Sequence, residues 1–248
     1  MSTDSPEATT APIQFRDDVT VDLIKHSASD SDVLWAARVS TAGEGSLDEL
    51  SKDPVRSKGL INFLMRDRHG SPFEHNSMTF FINAPIFVFR EFMRHRVGWS
   101  YNEESGRYRE LQPVFYVPGQ DRKLVQQGRP GKYEFVHGTP EQHKATVAAM
   151  EESYAQSYAA YQAMLADGVA REVARATLPV GLFSSMYATC NARSLMHFLG
   201  LRTQHELART PSFPQREIEM VGERMEAAWA ELMPLTYAAF NANGRVAP

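Results

Sequence analysis

The sequence predicts an α/β chain of the α+β type, a single helix-rich domain with a small mixed or antiparallel sheet. Three observations predict it. Apolar residues recur at helical spacing over several long stretches, only a few short runs alternate, and neither a repeat nor a second composition block divides the 248 residues. A chain of that length suits one large domain and can bury roughly 70–75% of its unfolded surface.

The elements follow in order. Met1 to about Gln14 is rich in Ser, Thr, Pro and Ala and reads as a flexible tail, leaving 15–248 as the domain. Val19 to Lys25 alternates as a short strand. Asp30 or Ser31 caps a helix to about Val39, and a second helix covers roughly Asp48 to Asp67, with Leu60, Ile61, Leu64 and Met65 turned inward. His69 to Ser77 is rich in turn formers. Ser77 to Asn83 is a strand with Met78, Phe80 and Ile82 on one face, and a helix follows from Ala84 to about Arg96. Gly98 to Tyr108 is polar without an apolar period and reads as a loop. Val114 to Val117 is a short strand, and Gly119 to Gly138 a polar excursion. A long helix spans about Pro140 to Ala166 and a shorter one Val169 to Thr177, stopping before Pro179. Leu182 to Thr189 is an apolar strand. Asn191 caps a helix through about Gln204, and a last helix runs from about Gln215 to Glu231.

Composition excludes several classes of function. A net charge of -4 and a pI near 6.1 exclude a polybasic protein held to nucleic acid by bulk charge. No apolar run approaches the roughly 18 residues of a membrane span, and the N-terminus lacks the basic start and apolar stretch of a signal peptide, so a cytoplasmic protein without membrane contact is expected. The single cysteine, Cys190, excludes an internal disulfide framework and a cysteine-clustered metal site, and no metal is expected. It lies in an apolar run and reads as a small core residue. Of 26 basic residues, 20 are Arg. That bias fits either a genome favouring Arg codons or a chain that grips small anions with planar guanidinium forks.

Three constellations carry potential chemistry. In Arg90-Glu91-Phe92-Met93-Arg94-His95-Arg96, Glu91 and His95 sit one helical turn apart, as do Arg90 and Arg94. Taken alone, bases at a helix end are accounted for by the helix dipole. The polar stretch Ser100 to Tyr108 that follows is costly to order without a ligand, and Ser105, Gly106 and Arg107 can surround a phosphate with hydroxyl, amide and guanidinium. Second, Arg171 and Arg175 share a helical face, as do Arg193 and His197, while Arg202 projects along the apolar stripe of Leu195, Phe198 and Leu199. Such an Arg needs an anionic or hydrogen-bonding partner, a carboxylate of the fold or a ligand, unless it snorkels at the helix end. Third, Ser71-Pro72-Phe73-Glu74-His75 places a hydroxyl, a carboxylate and an imidazole in one turn, where capping is the simpler account. No Rossmann glycine pattern, Walker loop, HExxH or GxSxG is present.

Arg94-His95-Arg96, eight intervening residues, then Ser105-Gly106-Arg107-Tyr108 resembles the signature of the flavin-dependent thymidylate synthases. The likeness extends over His69 to His75, Ala84 to Arg96, Arg171 to Pro179 and Asn191 to Arg202, in the family's order. The resemblance implies the thymidylate synthase-complementing protein fold and reductive methylation of dUMP to dTMP. The carbon would come from 5,10-methylenetetrahydrofolate and the hydride from non-covalently held FAD reduced by NADPH, in a homotetramer with FAD at subunit junctions. Ser71, Arg94, His95, Arg96, Glu103, Asn191, Ala192, Arg193 and His197 match flavin-contacting positions. Glu91, Phe92, Met93, Arg94, Glu103, Glu104, Ser105, Gly106, Arg107, Arg175 and Arg202 match dUMP-contacting positions, and Arg202 matches the residue that activates the uracil ring. Glu91 stands where the family often has Gln, Glu206 where many members have His, and Glu206 to Phe213 resembles an insertion. Two other readings remain, a flavoprotein NADPH reductase or oxidase on the same scaffold and an Arg-rich RNA-binding module.

Overall fold

The computed structural model describes residues 11–46, 53–129 and 132–248. In chain order the elements are β1 (Gln14–Arg16), β2 (Thr20–Ser27), α1 (Asp30–Ala42), α2 (Pro54–Arg66), β3 (Ser77–Pro85), α3 (Ile86–Phe92), β4 (Trp99–Glu103), β5 (Val114–Tyr116), β6 (Val125–Arg129), β7 (Lys132–Val136), α4 (Pro140–Ala166), α5 (Arg171–Ala174), β8 (Phe183–Cys190), α6 (Ala192–Arg202), α7 (Arg216–Leu232) and α8 (Pro234–Ala242). Single turns of 3-10 helix occupy Gly43–Ser46, Ser71–Glu74 and Arg175–Thr177. Mixed helices and small sheets are thus the architecture. None of the described helices is long and apolar enough to cross a membrane. The described residues gather into two compact units, each assembled from separated segments.

Among the described residues, the first unit comprises 11–18, Ala84–Arg90, 103–129 and 132–185. Its backbone is α4, whose start is over-determined. Pro140 occupies the first turn, the Thr139 hydroxyl accepts from the Gln142 amide at 3.2 Å, and the Gln142 side chain accepts from the Thr139 amide at 2.8 Å. Tyr154, Tyr158 and Tyr161 recur at i, i+4 and i+7 and form one buried face. Tyr154 stacks on Phe115 of β5 at 4.8 Å, and Leu111, Ala174 and Leu182 close the cluster. β5 pairs in parallel with β1, Phe15 opposite Phe115, so Gln14 closes the stretch read as tail and opens a strand. The tail's residues 1–10 lie outside the described residues. The polar excursion is a correction: β6 and β7 pair as an antiparallel hairpin, Val125 opposite Val136, with Tyr133 edge-on to Phe135 at 5.9 Å. Its side chains are mostly polar, so cross-strand pairing rather than a buried face makes the strands.

Among the described residues, the second unit comprises 19–46, 53–83, Glu91–Asn102 and Met186–Pro248. A four-stranded sheet runs in the order β2-β3-β8-β4, with β2 and β3 antiparallel and a register irregularity between Leu23 and Lys25. Met78, Phe80 and Ile82 of β3 are wholly buried, as the alternation requires. The Thr79 and Thr189 hydroxyls meet at 2.9 Å between β3 and β8. β4 corrects the loop expectation. Trp99 and Tyr101 point to one side and stack at 5.7 Å, while Ser100 and Asn102 face water; two amphipathic aromatics set in a polar stretch concealed the period of two. α3 stops at Phe92 rather than running to Arg96. The Arg94 and His95 amides reach the Glu91 and Phe92 carbonyls, three residues back, in a tightened last turn. α2 starts at Pro54, where the Asp53 carboxylate accepts from the Val55 amide at 2.9 Å; the expected start near Asp48 lies outside the described residues.

α8 was not expected, since the last helix read from the sequence ends near Glu231, and Pro234 follows it. It occupies the first turn of a new helix instead. The cap comes from elsewhere in the chain. Asp30, in the first turn of α1, accepts from the Leu235 amide at 2.8 Å, the Thr236 amide at 2.9 Å and the Thr236 hydroxyl at 2.7 Å. Three donors on one carboxylate predict a cost of about 1–2 kcal/mol for Asp30→Ala in urea unfolding, and a smaller one for Asp30→Asn, which keeps one acceptor. Equal midpoints for Asp30→Ala and the parent would refute the remote cap.

Candidate active site

In the second unit, the Arg-His-Arg segment leaves α3 and is clamped before it reaches β4. The Tyr101 hydroxyl lies 3.1 Å from the Phe92 carbonyl, which also accepts from the His95 amide, and 2.8 Å from the His95 carbonyl beyond the end of the helix. His95 is packed edge-on against Phe198 at 5.0 Å. Burial lowers its pKa to about 4, with the Arg202 and His197 charges adding to the effect. His95 is therefore neutral near pH 7, and its Nε2 lone pair accepts from Arg202 Nε at 3.1 Å. The same guanidinium donates from Nη1 to Glu91 Oε2 in a short ion pair. Arg202 ends α6 at the edge of the wholly buried stripe of Leu195, Phe198 and Leu199. Of the alternatives the sequence left open for Arg202, the fold supplies a carboxylate, with an imidazole beside it.

α6 is started by Asn191, whose side chain accepts from the Ser194 amide at 2.8 Å. A cavity of about 460 Å³ opens beside this N-terminus, lined by His95, Arg96, Asn191, Arg193, Ser194 and His197 together with Glu74, Val97, Gly98 and Trp99. Two glycines shape this region. Gly98 has φ +69°, and a Cβ there would collide with the Ser194 hydroxyl; a Cβ on Gly70 would lie 2.5 Å from the Arg193 guanidinium carbon. Arg193 donates to Glu74 at 2.5 Å and to the Pro248 backbone oxygen at 2.7 Å. Thus the carboxylate of the Ser71–His75 turn serves a cavity arginine, while His75 packs edge-on to Trp35 at 5.5 Å. Burial lowers the His197 pKa, assisted by Arg193 and Arg68. A cavity with imidazoles, guanidiniums and an amide on its wall suits part of a large anionic aromatic cofactor.

The structure brings together five of the nine flavin-matching residues at this cavity. Arg94 and Ser71 are exposed and do not line it. Ala192 is wholly buried, and its amide donates to Asn76 Oδ1 at 2.7 Å. Phe92 is wholly buried and stacks on Phe198 at 4.7 Å, so its side chain is core rather than surface; Met93 is exposed. Sequence reasoning missed Gly98, Ser194 and the Tyr101 clamp. The Gly98-Trp99 step, a glycine directly before an aromatic at a strand start, was the available signal.

In the first unit, Ser105 opens a tight turn, its carbonyl accepting from the Tyr108 amide at 3.1 Å and its hydroxyl from the Arg107 amide at 3.3 Å. Gly106 is buried under neighbours that leave no room for a side chain: a Cβ would lie 2.8 Å from Leu111 and 3.3 Å from the Arg175 stem. Arg107 pairs with Glu172 at 3.0 Å and Arg109 with Glu104 at 3.1 Å, all with exposed or partly exposed side chains. Desolvation raises the Glu103 carboxyl above its ordinary pKa, the Ser184 hydroxyl and Arg175 opposing and Glu104 adding to it. Serine, glycine and two arginines thus share one compact turn region, a chemistry suited to a phosphate. Cys190, in the second unit, is buried, and burial pushes its thiol far up, away from nucleophilic use. Among the described residues no cluster of three or more His, Cys, Asp or Glu is placed to hold a metal.

The family model described as thymidylate synthase complementing protein matches residues 22–235. A flavin-dependent thymidylate synthase of Streptomyces avermitilis is 82% identical over 246 residues, covering 99% of this chain and all of that one. Another, from Tropheryma whipplei, is 58% identical, with 94% and 97% covered. Among solved structures, the UMP/dUMP methylase PolB from Streptomyces cacaoi bound with 5-Br dUMP superposes with a TM-score of 0.90 at 56% identity, covering 95% of this chain and 100% of that one. The same methylase bound with 5-Br UMP gives 0.87 at 54% identity. A signature carried on a clamped turn, a flavin-suited cavity and full-length likeness converge, and the chain belongs to the flavin-dependent thymidylate synthases.

Proposed function

We propose a division of labour by which this enzyme makes dTMP from dUMP. The observation that carries it is Arg202, a guanidinium held at Nε by a neutral imidazole and at Nη1 by a carboxylate, with no partner among the described residues for Nη2. Uracil carbon 5 is a poor nucleophile until negative charge develops in the ring. A fixed guanidinium edge stabilises that charge without a cysteine attack, which agrees with the inert setting of Cys190. We assign the nucleotide phosphate to Ser105, Gly106, Arg107 and Arg175, and contacts nearer the base to Glu103, Glu104 and the Glu91–Arg94 segment. Flavin contacts fall to His95, Arg96, Asn191, Arg193 and His197, with Ser71, Arg94, Glu103 and Ala192 as further candidates. Bound FAD would supply the redox chemistry at those residues, with NADPH as reductant and 5,10-methylenetetrahydrofolate as carbon source. The fit rests on the polar cavity and on the glycines beside it. A homotetramer working in the cytoplasm completes the reading.

Isotope release from dUMP labelled at carbon 5 tests it, with FAD, NADPH and methylenetetrahydrofolate each omitted in turn. Release and dTMP formation that need all three support the reading; NADPH oxidation that ignores dUMP would favour a reductase. UMP belongs in the same assay, because the solved methylase is seen with analogues of both nucleotides.

Arg202→Lys keeps the charge and loses the planar fork. It is expected to retain fold and flavin and to lose at least about 2 kcal/mol of transition-state stabilisation, roughly thirtyfold in rate. Full turnover in a folded Lys variant would remove Arg202 from the chemistry.

The low pKa of His95 gives a pH signature. Between its ordinary value of 6.5 and about 4 the folded chain keeps His95 neutral while the unfolded chain protonates it. The unfolded state binds more protons in that window, so stability present above pH 6.5 is lost as pH falls toward 4. His95→Gln, which offers Arg202 an uncharged acceptor, should show a shallower fall of the unfolding midpoint across the window. Identical pH slopes in the two proteins would contradict the assignment.

A further inference from the structure

We propose that Arg68 is a further cofactor-binding residue, a cation that joins Arg193 in gripping the phosphates of the flavin. The proposal rests on the assignment of the cavity beside α6 to FAD. Arg68 follows α2 at a place where glycine is the ordinary choice. The His69 amide reaches the Leu64 carbonyl at 2.9 Å and the Arg68 amide the Met65 carbonyl at 3.4 Å, the paired bonds that end a helix through one left-handed residue. That residue is Arg68, with φ +65°, a conformation that favours glycine. The side chain kept there is engaged. Its Nη1 donates to the Ala247 carbonyl at 2.6 Å, and the next carbonyl, of Pro248, accepts from Arg193 Nε at 2.7 Å. Consecutive backbone oxygens thus hold one guanidinium each. Arg193 lies against Gly70, two residues beyond Arg68, and both charges help to lower the pKa of His197 on the cavity wall. The two cations are unevenly answered. Arg193 has the Glu74 carboxylate at 2.5 Å, whereas the Asp67 carboxylate next to Arg68 is taken by Arg66 at 2.8 and 2.9 Å. Among the described residues Arg68 has no carboxylate partner, and its Nε and Nη2 are unengaged. A carbonyl orients a guanidinium without cancelling its charge. An exposed, oriented cation beside a second one, near the N-terminus of α6, suits a phosphate or diphosphate group.

FAD titration of the flavin-depleted enzyme, followed by flavin fluorescence, tests this beside thermal unfolding of the same proteins. Arg68→Gly removes the guanidinium and suits the left-handed backbone, so the unfolding midpoint should stay within about 2 °C of the parent or rise. FAD affinity should nevertheless fall about tenfold or more at low salt, as expected for a lost charge-assisted contact to phosphate. The gap should narrow to about threefold or less near 1 M salt, where screening acts within about 3 Å. Arg68→Lys keeps the charge without the planar fork and should fall between the two. A parent enzyme that binds no FAD refutes the cofactor assignment itself, and this proposal with it. Where the parent binds FAD, three results overturn the role of Arg68 alone: equal affinity in Arg68→Gly, a gap that salt leaves unchanged, or an Arg68→Lys enzyme no better than Arg68→Gly. An Arg68→Gly chain too unstable to titrate makes the hold on Ala247 the purpose of the side chain, and overturns it as well.

Discussion

Arg245 and Glu226 meet almost out of contact with water, two N–H donors against two carboxylate oxygens at 2.5 and 2.7 Å, and the second unit is organised around that pair. Removing two charges from water costs several kcal/mol per ion, so such a pair needs further hydrogen bonds around it. Arg245 also donates to Thr203 Oγ1 at 3.0 Å and Asn241 Oδ1 at 2.8 Å. One guanidinium thereby ties the residue after α6, the body of α7 and the last turn of α8. Its backbone pays a local strain, with φ +55° at Arg245 directly after Gly244 at +74°. Thr203 in turn donates to the Leu199 carbonyl at 2.8 Å, so the buried pair holds the end of the helix from which Arg202 projects.

Two arginines of the second unit thus have opposite tasks. Arg245 is engaged by the fold at both terminal nitrogens. Arg202 is fastened at two nitrogens and keeps a third. The difference lies in surroundings, not residue type: a wholly buried site must satisfy every donor, while a partly exposed helix end leaves room for a visitor. His95 completes the contrast. Its imidazole accepts from Arg202 only while uncharged, and the apolar ring of Phe198 against it keeps it so.

Much of this was legible in the sequence because local chemistry and tertiary structure agreed. The Thr139-Pro140 start of α4, the alternation of Met78, Phe80 and Ile82, and the Asn191 cap of α6 each state their element in a few residues. The signature stretch was legible as a family likeness, and the carboxylate that would meet Arg202 was not, since pairing between residues more than 100 positions apart has no local trace. α8 escaped because its cap, Asp30, lies in another helix, and β4 because Trp99 and Tyr101 are aromatic on one side and polar at the tip. A mostly polar hairpin such as β6–β7 has no apolar face to announce it.

The Tyr101 clamp has a consequence for robustness. Burial raises its phenol pKa, with Cys190 adding to the shift, so the hydroxyl keeps its proton through and well above neutrality. His95, whose carbonyl it touches, keeps its ring uncharged from neutrality down to mildly acidic conditions. A turn fastened by two groups that do not titrate there holds one shape while the acidity of the surroundings drifts. The geometry of the turn is then buffered against its medium, and the fastening works as a mechanical constant of the fold.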